Sequence, residues 1–381
     1  MTNWPEVRLG DACDRITDGS HFSPKSSSEG FPYVTVRDLS DGAIDLDGSK
    51  RISRESFNEL SRNGCSPQKG DVLFSKDGTV GKVALVGVSI PFVVLSSIAI
   101  LSPNHELVSS EYLAWVLKSP SVQSMAVDKK TGTALRRLIL RDLNSILIPL
   151  PPLDEQKRIV AKLDEVSTRV GDYGRSIHLQ STGLADLRSS LCRESFLNAP
   201  EVRTRYLIDL AQNLDSRRVP ITKDQRQSGS VPYYGASGIV DYVQDSLFNE
   251  PLLLVSEDGA NLLSRSTPIA FPIDGPTWVN NHAHILRFDN PITQAYVELF
   301  IENTKIDQYV TGAAQPKLNQ KALNSIPIQI PISIEDQRAV VQLIKSRNLL
   351  IDNALNLNKK RNGLSRVLLS STMSHDLENS A

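Results

Sequence analysis

The chain has 381 residues, of which 40% are hydrophobic and 22% are charged. Such values are typical of a globular protein with about two to four structural units. Lysine and arginine number 42 against 43 acidic residues, and the formal net charge of −1 argues against a protein that holds nucleic acid by bulk positive charge alone.

The sequence gives little support for disulfides, structural zinc or membrane insertion. Cys13, Cys65 and Cys192 form no CxxC pair, so reduced thiols and a cytoplasmic location are expected. Residues 1–11 lack the apolar region of a signal peptide. Residues 84–101 are the most apolar stretch, but serine and proline interrupt it, which favours two buried strands over a membrane span.

The two globular parts of the chain are predicted to be mixed α/β (α+β) domains, because β-branched segments alternate with Gly-centred turns. The first part is expected to have strands at 31–36 and 71–74, a turn at 76–79 and a helix at 110–118. The second is expected to have strands at 231–235 and 252–255, a turn at 257–259 and a helix at 294–303.

A long helix is predicted between the two parts, since residues 153–199 contain no proline and Asp154 is a suitable N-cap. Its apolar residues alternate at spacings of four and three: Ile159, Leu163, Val166, Val170, Tyr173, Ile177, Leu184, Leu187 and Leu191. This is the seam of a coiled coil. Gln180 interrupts the seam, either to fix the register or because it points to solvent while Leu179 packs.

A second long helix is predicted from Ser333, with Asp336 completing a weak capping box. Four leucines recur every seven residues and form the predicted second seam: Leu343, Leu350, Leu357 and Leu364. Arg347 and Arg361 interrupt the other seam position. Two helices of similar length, one after each globular part, predict an antiparallel coiled coil.

A comparison of the chain with itself reveals a tandem repeat. Residues 131–151 match residues 311–331 at an offset of 180, with ten of the 21 positions identical. A second match, at an offset of 181, joins residues 73–78 to residues 254–259. The repeat indicates either a duplication without functional symmetry or a pseudo-dimer with two similar sites.

Motifs of catalysis are mostly missing from the sequence. The segment 78–82 resembles a phosphate-binding loop, but its spacing fails and Val83 stands where serine or threonine is needed. His282 and His284 could supply two metal ligands from one face of a strand, although a structural role at the strand end is favoured.

Polar, basic and aromatic residues around the duplicated turns form a candidate DNA-contact set: Ser20, His21, Lys76, Thr79, Lys129, Lys130, Thr131, Arg136, Arg137, Arg217, Arg218, Tyr233, Tyr234, Ser237, Asn261, Asn281, His282, Gln315 and Lys317. Arginine, lysine, asparagine and glutamine suit contacts to base edges, and Gly-flanked turns present N–H groups to phosphates. The alternative for each residue is an ordinary solvated loop.

These segments together resemble the specificity subunit of type I restriction–modification systems. The main matches are IPLPPLDEQKRIVAKLDE and its second copy, LNSIPIQIPISIEDQRAVVQLI. Supporting matches are ITDGSHFSP, SKDGTVGKV, VPYYGASGIVDYV, LVSEDGANL and NNHAHIL. The resemblance covers essentially the whole chain. Pro152 has no counterpart in the second copy, where Ile332 stands, so the second helix could dock differently.

The resemblance implies two target-recognition domains, residues 1–152 and 201–332, that each read one half of a bipartite double-stranded DNA site. The helices at 153–200 and 333–381 would set the spacing and dock two modification (methyltransferase) subunits. The chain itself is expected to bind no cofactor and no metal and to have no catalytic residues. S-adenosylmethionine, ATP and Mg would belong to partner subunits that methylate adenine or, as restriction subunits, cleave DNA in phage defence.

Two other hypotheses remain open at this stage. The chain could be a duplicated scaffold on a coiled coil without DNA specificity, or a metal-dependent nuclease that uses His282 and His284. The absence of salt-dependent DNA binding would favour the scaffold, and activity abolished by chelation would favour the nuclease.

Overall fold

The computed structural model describes residues 4–40, 42–128, 138–312 and 314–378. It divides into two compact units, one of residues 1–177 with 359–381 and the other of residues 178–358. The unit boundaries fall inside the two long helices, so this division does not test the predicted division of the chain into four segments.

The first unit and the helix that leaves it contain these elements: β1 (Glu6–Arg8), α1 (Leu9–Ala12), β2 (Cys13–Asp18), β3 (Phe31–Val34), β4 (Leu39–Ser40), β5 (Ala43–Ile44), β6 (Lys50–Ile52), α2 (Arg54–Arg62), β7 (Val72–Ser75), β8 (Val83–Leu85), β9 (Val93–Val94), β10 (Ile98–Pro103), α3 (Ser110–Lys118), α4 (Pro120–Asp128), α5 (Leu140–Asn144), β11 (Leu147–Pro149) and α6 (Leu153–Leu197).

The centre of the first unit is the antiparallel sheet β2-β10-β7-β8. Strand β7 is buried at every position, because α3 and α4 cover one face and a second apolar cluster covers the other. A smaller sheet, β6-β3-β9, pairs β3 with β9 in parallel, and β1 pairs with β11. The start of α6 joins the core through Ile159 and Leu163.

The second unit and the helix that leaves it contain these elements: β12 (Val202–Tyr206), α7 (Leu207–Leu210), β13 (Gln212–Asn213), β14 (Ser228–Gly235), β15 (Gly238–Val243), β16 (Phe248–Asn249), β17 (Leu252–Ser256), α8 (Asn261–Ser264), β18 (Ala270–Ile273), β19 (Pro276–Val279), β20 (Ala283–Arg287), α9 (Pro291–Asn303), α10 (Gln320–Asn324), β21 (Pro327–Pro331) and α11 (Ile334–Met373).

The second unit repeats the plan of the first. Its central antiparallel sheet is β13-β20-β17-β18, in which β17 is fully buried like β7. A second sheet, β15-β14-β19-β16, again contains one parallel pair, β14 with β19, and β12 pairs with β21. These topologies confirm two mixed domains with one shared plan. Helix α3 has the predicted bounds, and α9 begins three residues earlier than predicted, capped by Asn290.

Each long helix is fastened to its globular part by a buried glutamine. The amide group of Gln156 accepts from Ser109 N at 2.9 Å and donates to the carbonyls of Leu107 and Pro151, both at 2.8 Å. Gln337 accepts from the hydroxyl of Thr293 at 2.8 Å and donates to the carbonyl of Pro331 at 2.9 Å. The repeated acidic-acidic-Gln motif therefore anchors each helix at its start.

The two long helices begin at or within one residue of the predicted positions, residues 153 and 333, but only the second has the predicted cap. Helix α6 begins at Leu153, so Asp154 lies in its first turn and the prediction that Asp154 is the N-cap is wrong. Helix α11 begins at Ile334 after Ser333, whose hydroxyl accepts from Asp336 N at 3.0 Å and donates to that carboxylate at 2.7 Å. Among the described residues, no helix is both long enough and apolar enough to cross a membrane.

The predicted seam of α6 is only partly correct. Ile159, Leu163 and Ile177 are buried, and Val166, Val170, Leu184 and Leu191 are half-buried. Tyr173 and Leu187 are exposed, so their placement in the seam is wrong. Gln180 points to solvent, but Leu179 is exposed as well. The residue after Gln180, Ser181, is half-buried, and its hydroxyl oxygen accepts from Asn358 Nδ2 at 3.1 Å.

The predicted seam of α11 is wrong by one position. Leu343, Leu350, Leu357 and Leu364 are all exposed, and they form what we call the leucine row. The buried residues follow each of them: Ile344, Ile351, Asn358 and Ser365. One residue rotates an α-helix by about 100°, which separates the two rows. In the second unit, α11 runs antiparallel to α6, with Arg347 bonded to the carbonyl of Leu191 and to the hydroxyl of Ser195.

The corrected seam predicts that neighbouring residues of α11 differ sharply in their effect on stability. Ile351 is 5% exposed and Leu350 is 70% exposed. We expect Ile351→Ala to lower the free energy of unfolding by about 2–5 kcal/mol, and Leu350→Ala to change it by less than about 0.5 kcal/mol. Urea denaturation of the two variants tests this, and an equal loss in both would contradict the corrected seam.

Candidate nucleic-acid interface

The duplicated turns lie at corresponding ends of the two central sheets. Strand β7 ends at Ser75 and is followed by Lys76, Asp77 and Gly78, whose φ is +67°. Strand β17 ends at Ser256 and leads to the same kind of turn, at Gly259, with a φ of +105°. Such angles favour glycine, and a Cβ at either glycine would meet no atom within 4 Å. Both turns are therefore open tips.

In the first unit, a buried ion pair lies beneath the turn. Lys76 Nζ lies 3.3 Å from Asp18 Oδ1, and only 5% of the lysine side chain is exposed. Asp18 Oδ2 also lies 3.3 Å from Nε2 of the exposed His21. The prediction that Lys76 contacts DNA does not fit this geometry, because a buried and paired ammonium group cannot reach a phosphate without breaking its pair.

Ser20 is also buried, and its role is local. Its hydroxyl accepts from Phe22 N at 3.1 Å and donates to the Phe22 carbonyl at 2.5 Å. His21, the next residue, is exposed, and so is Thr79 in the Asp-Gly turn. Lys82, in the segment resembling a phosphate loop, donates to the carbonyls of Val36 and Leu39 at 2.7 and 2.6 Å, so its ammonium group serves the fold.

In the second unit, a larger ionic cluster occupies the corresponding position. His284 Nδ1 lies 2.6 Å from Asp215 Oδ2, and Nε2 lies 2.7 Å from the carbonyl oxygen of Leu318. Arg218 Nη1 binds Glu257 Oε2 at 2.5 Å. We call these four charged side chains and Lys317, whose Nζ lies 3.2 Å from Glu257 Oε1, the ionic cluster.

The geometry indicates that His284 is an imidazolium. Both of its ring nitrogens face oxygen acceptors, and a neutral ring could donate to only one of them. The ring is almost completely buried, so an unmade hydrogen bond there would be costly. The carboxylates of Asp215 and Glu257 compensate the charges of His284 and Arg218.

The pKa values of both carboxyl groups are held below their ordinary range. Burial acts to raise the pKa of Asp215, but hydrogen bonds from His284 and Ile285 N and the charge of Arg218 outweigh it. Burial likewise acts to raise the pKa of Glu257, and Arg218, His284 and Lys317 lower it further than burial raises it. Both groups are therefore ionised at neutral pH.

The same residues have the spacing of a metal site, but their bonds do not suit one. Ligand atoms of Asp215, Glu257 and His284 lie within 4.8 Å of one another. Both nitrogens of His284 are already engaged, and Arg218 and Lys317 supply positive charge. His282 binds a different carboxylate, that of Asp258, at 2.8 Å. The geometry therefore favours the structural role of this histidine pair.

Strand register shows that the two sites correspond residue by residue. Ile98 lies opposite Ser75, as Ala283 lies opposite Ser256. Because the two serines are repeat equivalents, Ala99 of the first unit corresponds to the next residue of β20, His284.

The segments at the ends of β2 and β13 also correspond residue by residue. Asp18 lies opposite Ala99, and Asp215 contacts His284, so the two aspartates are equivalent. Three residues later, His21 corresponds to Arg218. Lys76 corresponds to Glu257, which reverses the charge at the strand tip. In each unit a buried ion pair therefore joins the segment after the first sheet strand, β2 or β13, to the Asp-Gly turn. The residues that form the pair differ between the units.

The other candidates of the second unit are divided between surface and interior. Tyr233 is buried with the guanidinium of Arg226 over its ring, and Tyr234 is half-buried. Asn261 bonds the backbone of Thr267. Exposed positions are held by these residues: Arg217, Ser237, Asn281, His282, Gln315 and Lys317. In the first unit, Lys129, Lys130, Thr131, Arg136 and Arg137 lie outside the described residues.

Three important residues were absent from the candidate set. Asp18, Asp215 and Glu257 hold the two loops together, and Asp18 stands in the ITDGSHF motif itself. The sequence offered a signal for Asp18 and Glu257, since both flank duplicated or Gly-containing turns. It offered no sign that Asp215 meets His284, because the two are 69 positions apart.

Comparison with known proteins identifies the family. The model of the type I restriction modification DNA specificity domain matches residues 1–171 and 201–362. A putative type I restriction enzyme specificity subunit of Haemophilus influenzae is 29% identical over 157 residues, which is 41% of this chain and 40% of that protein. The EcoBI specificity subunit of Escherichia coli is 25% identical over 168 residues, 44% of this chain and 35% of that protein.

The chain thus spans well under half the length of these two relatives. A longer match is the putative MjaX specificity subunit of Methanocaldococcus jannaschii, 20% identical over 92% of this chain and 88% of that protein. A chain in a solved structure of a type I R-M system has the same fold, with a TM-score of 0.73 at 16% identity over 98% of this chain and 97% of that one. The chain therefore belongs to the family of type I restriction modification DNA specificity domains, with both of its halves matched.

Proposed function

We propose that this chain is the DNA specificity subunit of a type I restriction–modification complex, and that each unit reads one half of a bipartite DNA site. The observation that supports this most directly is the repeated strand-tip site. Each unit places an Asp-Gly turn and an anchored polar loop at the same end of its central sheet. Two equivalent readers in one chain match a site made of two half-sites.

The chain is proposed to bind no catalytic cofactor or metal of its own. Within the described part of the chain, the group of side chains with metal-site spacing, Asp215, Glu257 and His284, is already paired with Arg218 and Lys317. Adenine methylation with S-adenosylmethionine, and ATP- and Mg-dependent restriction, are proposed for partner subunits, with the complex in the cytoplasm.

The long helices are proposed to dock two modification subunits. The leucine row on α11 supports this, because an exposed row of leucines is costly to leave in water and suits another helix. The net charge of −1 fits a chain that receives much of its phosphate affinity from those partners.

Exchange of one reader tests the proposal. Residues 1–152 are replaced by the corresponding segment of a relative with a different site, and the chain is expressed with its modification subunits. We expect methylation mapping to show one changed half-site, with the other half-site and the spacer retained. Exchange of residues 201–332 is the matched control and changes the other half-site.

Two outcomes would contradict the proposal. If either exchange altered both half-sites, the units would not be independent readers. If the assembled complex bound duplex DNA without preference and without salt dependence, the chain would be a scaffold.

A further inference from the structure

Phe22 stands out in the first unit because its side chain is 71% exposed. It belongs to the loop between β2 and β3, and its neighbours Ser23 and Lys25 are polar and exposed. Its other neighbours are the buried Ser20 and the exposed His21. The other apolar residue from Ser20 to Lys25 is Pro24, which is half-buried, so the ring of Phe22 is the most exposed apolar group of a mainly polar segment. An interface core with another protein would call for a contiguous apolar patch.

The backbone beneath this ring is firmly held. The carbonyl of Phe22 accepts from the hydroxyls of Ser20 at 2.5 Å and Tyr33 at 3.4 Å. Ser20 N donates to the carbonyl of Val94 at 2.8 Å. A Cβ on Gly19 would lie 2.2 Å from that carbonyl oxygen, so only glycine allows this approach. The loop presents the ring from a fixed position, which lowers the entropic cost of a contact.

The second unit exposes an apolar side chain at the corresponding place. Since His21 corresponds to Arg218, Phe22 corresponds to Val219, which is 46% exposed. The carbonyl of Val219 accepts from Trp278 Nε1 at 2.7 Å. Two residues later, the carbonyl of Ile221 accepts from the hydroxyl of Tyr233 at 3.4 Å, as Phe22 does from Tyr33. In both units, hydrogen bonds therefore hold the backbone of this loop, and an apolar side chain, Phe22 or Val219, is exposed.

We propose that Phe22 and Val219 are specificity-determining residues that pack against the C5-methyl group of a thymine in their respective half-sites. The thymine methyl is the apolar group that a base pair presents in the major groove. The surrounding donors fit a groove as well: His21 beside Phe22, and Arg217, Asn281 and Lys317 exposed on the second unit. This inference rests on the proposed function and assigns one contact to each reader.

The test uses the complete complex with its modification subunits and duplexes that carry the mapped site. We expect Phe22→Ala to weaken binding to the cognate duplex about 10-fold, the effect of one lost base contact. Binding to an unrelated duplex is expected to stay the same. The dependence of affinity on salt concentration is also expected to keep its slope, because an apolar contact releases no counterions. Phe22→Leu keeps an apolar side chain and is expected to lose less.

The second part of the test changes the DNA instead of the protein. Replacing the contacted thymine of the first half-site with uracil removes only the methyl group, so it is expected to weaken wild-type binding and to add nothing to Phe22→Ala. The same pair of experiments applies to Val219→Ala and the other half-site. Ile90→Ala is the control, since Ile90 is 56% exposed on a loop that leaves the opposite end of β8.

The outcomes separate this inference from the proposed function. Equal cognate binding by wild type and Phe22→Ala, or no effect of uracil at any position of the half-site, would overturn the thymine contact. Loss of subunit assembly in Phe22→Ala would also overturn it, and would assign the ring to a protein contact. Failure of the wild-type complex to prefer its mapped site would instead refute the proposed function.

Discussion

Replacing Asp215 with alanine is expected to destabilise the second unit by about 3–5 kcal/mol, because it removes one partner of a buried ion pair. Asp215 is buried and binds both the ring of His284 and the backbone N–H of Ile285, at 2.6 and 2.9 Å. Without it, Glu257 alone would face the charges of His284, Arg218 and Lys317.

Urea denaturation measures this loss, and a matched variant controls for the removal of a carboxylate. Asp241 also pairs with an arginine of the second unit, Arg226, at 3.0 Å, but 38% of the Asp241 side chain is exposed, against 5% for Asp215. We expect Asp241→Ala to leave the unfolding midpoint nearly unchanged. A similar shift in both variants would mean that the ionic cluster contributes no more than a surface pair.

The same cluster predicts a loss of stability in acid. Asp215 and Glu257 have lowered pKa values in the folded chain, against ordinary values of 3.8 and 4.5. A carboxyl group of this kind stabilises the fold above its ordinary pKa, and the contribution disappears as the pH falls through the lowered folded pKa. We therefore expect the melting temperature to decline below about pH 4.5, and to decline less steeply in Asp215→Asn.

Lengthening both long helices by one heptad is expected to lengthen the DNA spacer and leave both half-site sequences unchanged. The insertions belong after Ser181 in α6 and before Asn358 in α11, because these two residues face each other across a 3.1 Å hydrogen bond. Seven residues add about 10 Å of helix, which corresponds to about three base pairs of duplex DNA.

Methylation mapping in cells that carry the matching modification subunits checks this expectation. The control exchanges seven residues at each point for a different heptad of equal length, which should keep the spacer. An altered half-site sequence with an unchanged spacer would refute the idea that the helices set the distance. The whole seam is preserved by a heptad insertion, so loss of folding is not the expected result.

The error in the predicted seam of α11 has a definite physical cause. The leucine row has the spacing of a seam, whereas the buried row contains Asn358 and Ser365 beside two isoleucines. Asn358 is accommodated by its bond to Ser181, 177 positions away in the chain. The spacing of hydrophobic residues identified a row that suits a helical partner. It did not show which row of α11 is buried within this chain.

The candidate contact set shows the same limit. Lys76 looked like a reader because it is basic and flanks a turn, yet Asp18 holds it inside the unit. Phe22 was not in the candidate set, although it stands in the ITDGSHFSP motif, and its side chain is 71% exposed. Whether a turn residue faces inward depends on the partner that the fold supplies, and that partner comes from a distant strand.

The sequence by itself determined the tandem repeat, the two mixed domains and the positions of the long helices. The repeat is visible directly as identical residues at a fixed offset, and the elements follow from proline-free segments and local apolar periodicity, which act over short distances along the chain. Only the tertiary structure decided which face of α11 is buried, and which polar residues are paired beneath the turns. Those features depend on contacts such as Asp215 with His284, which are 69 positions apart, and local patterns carry no information about them.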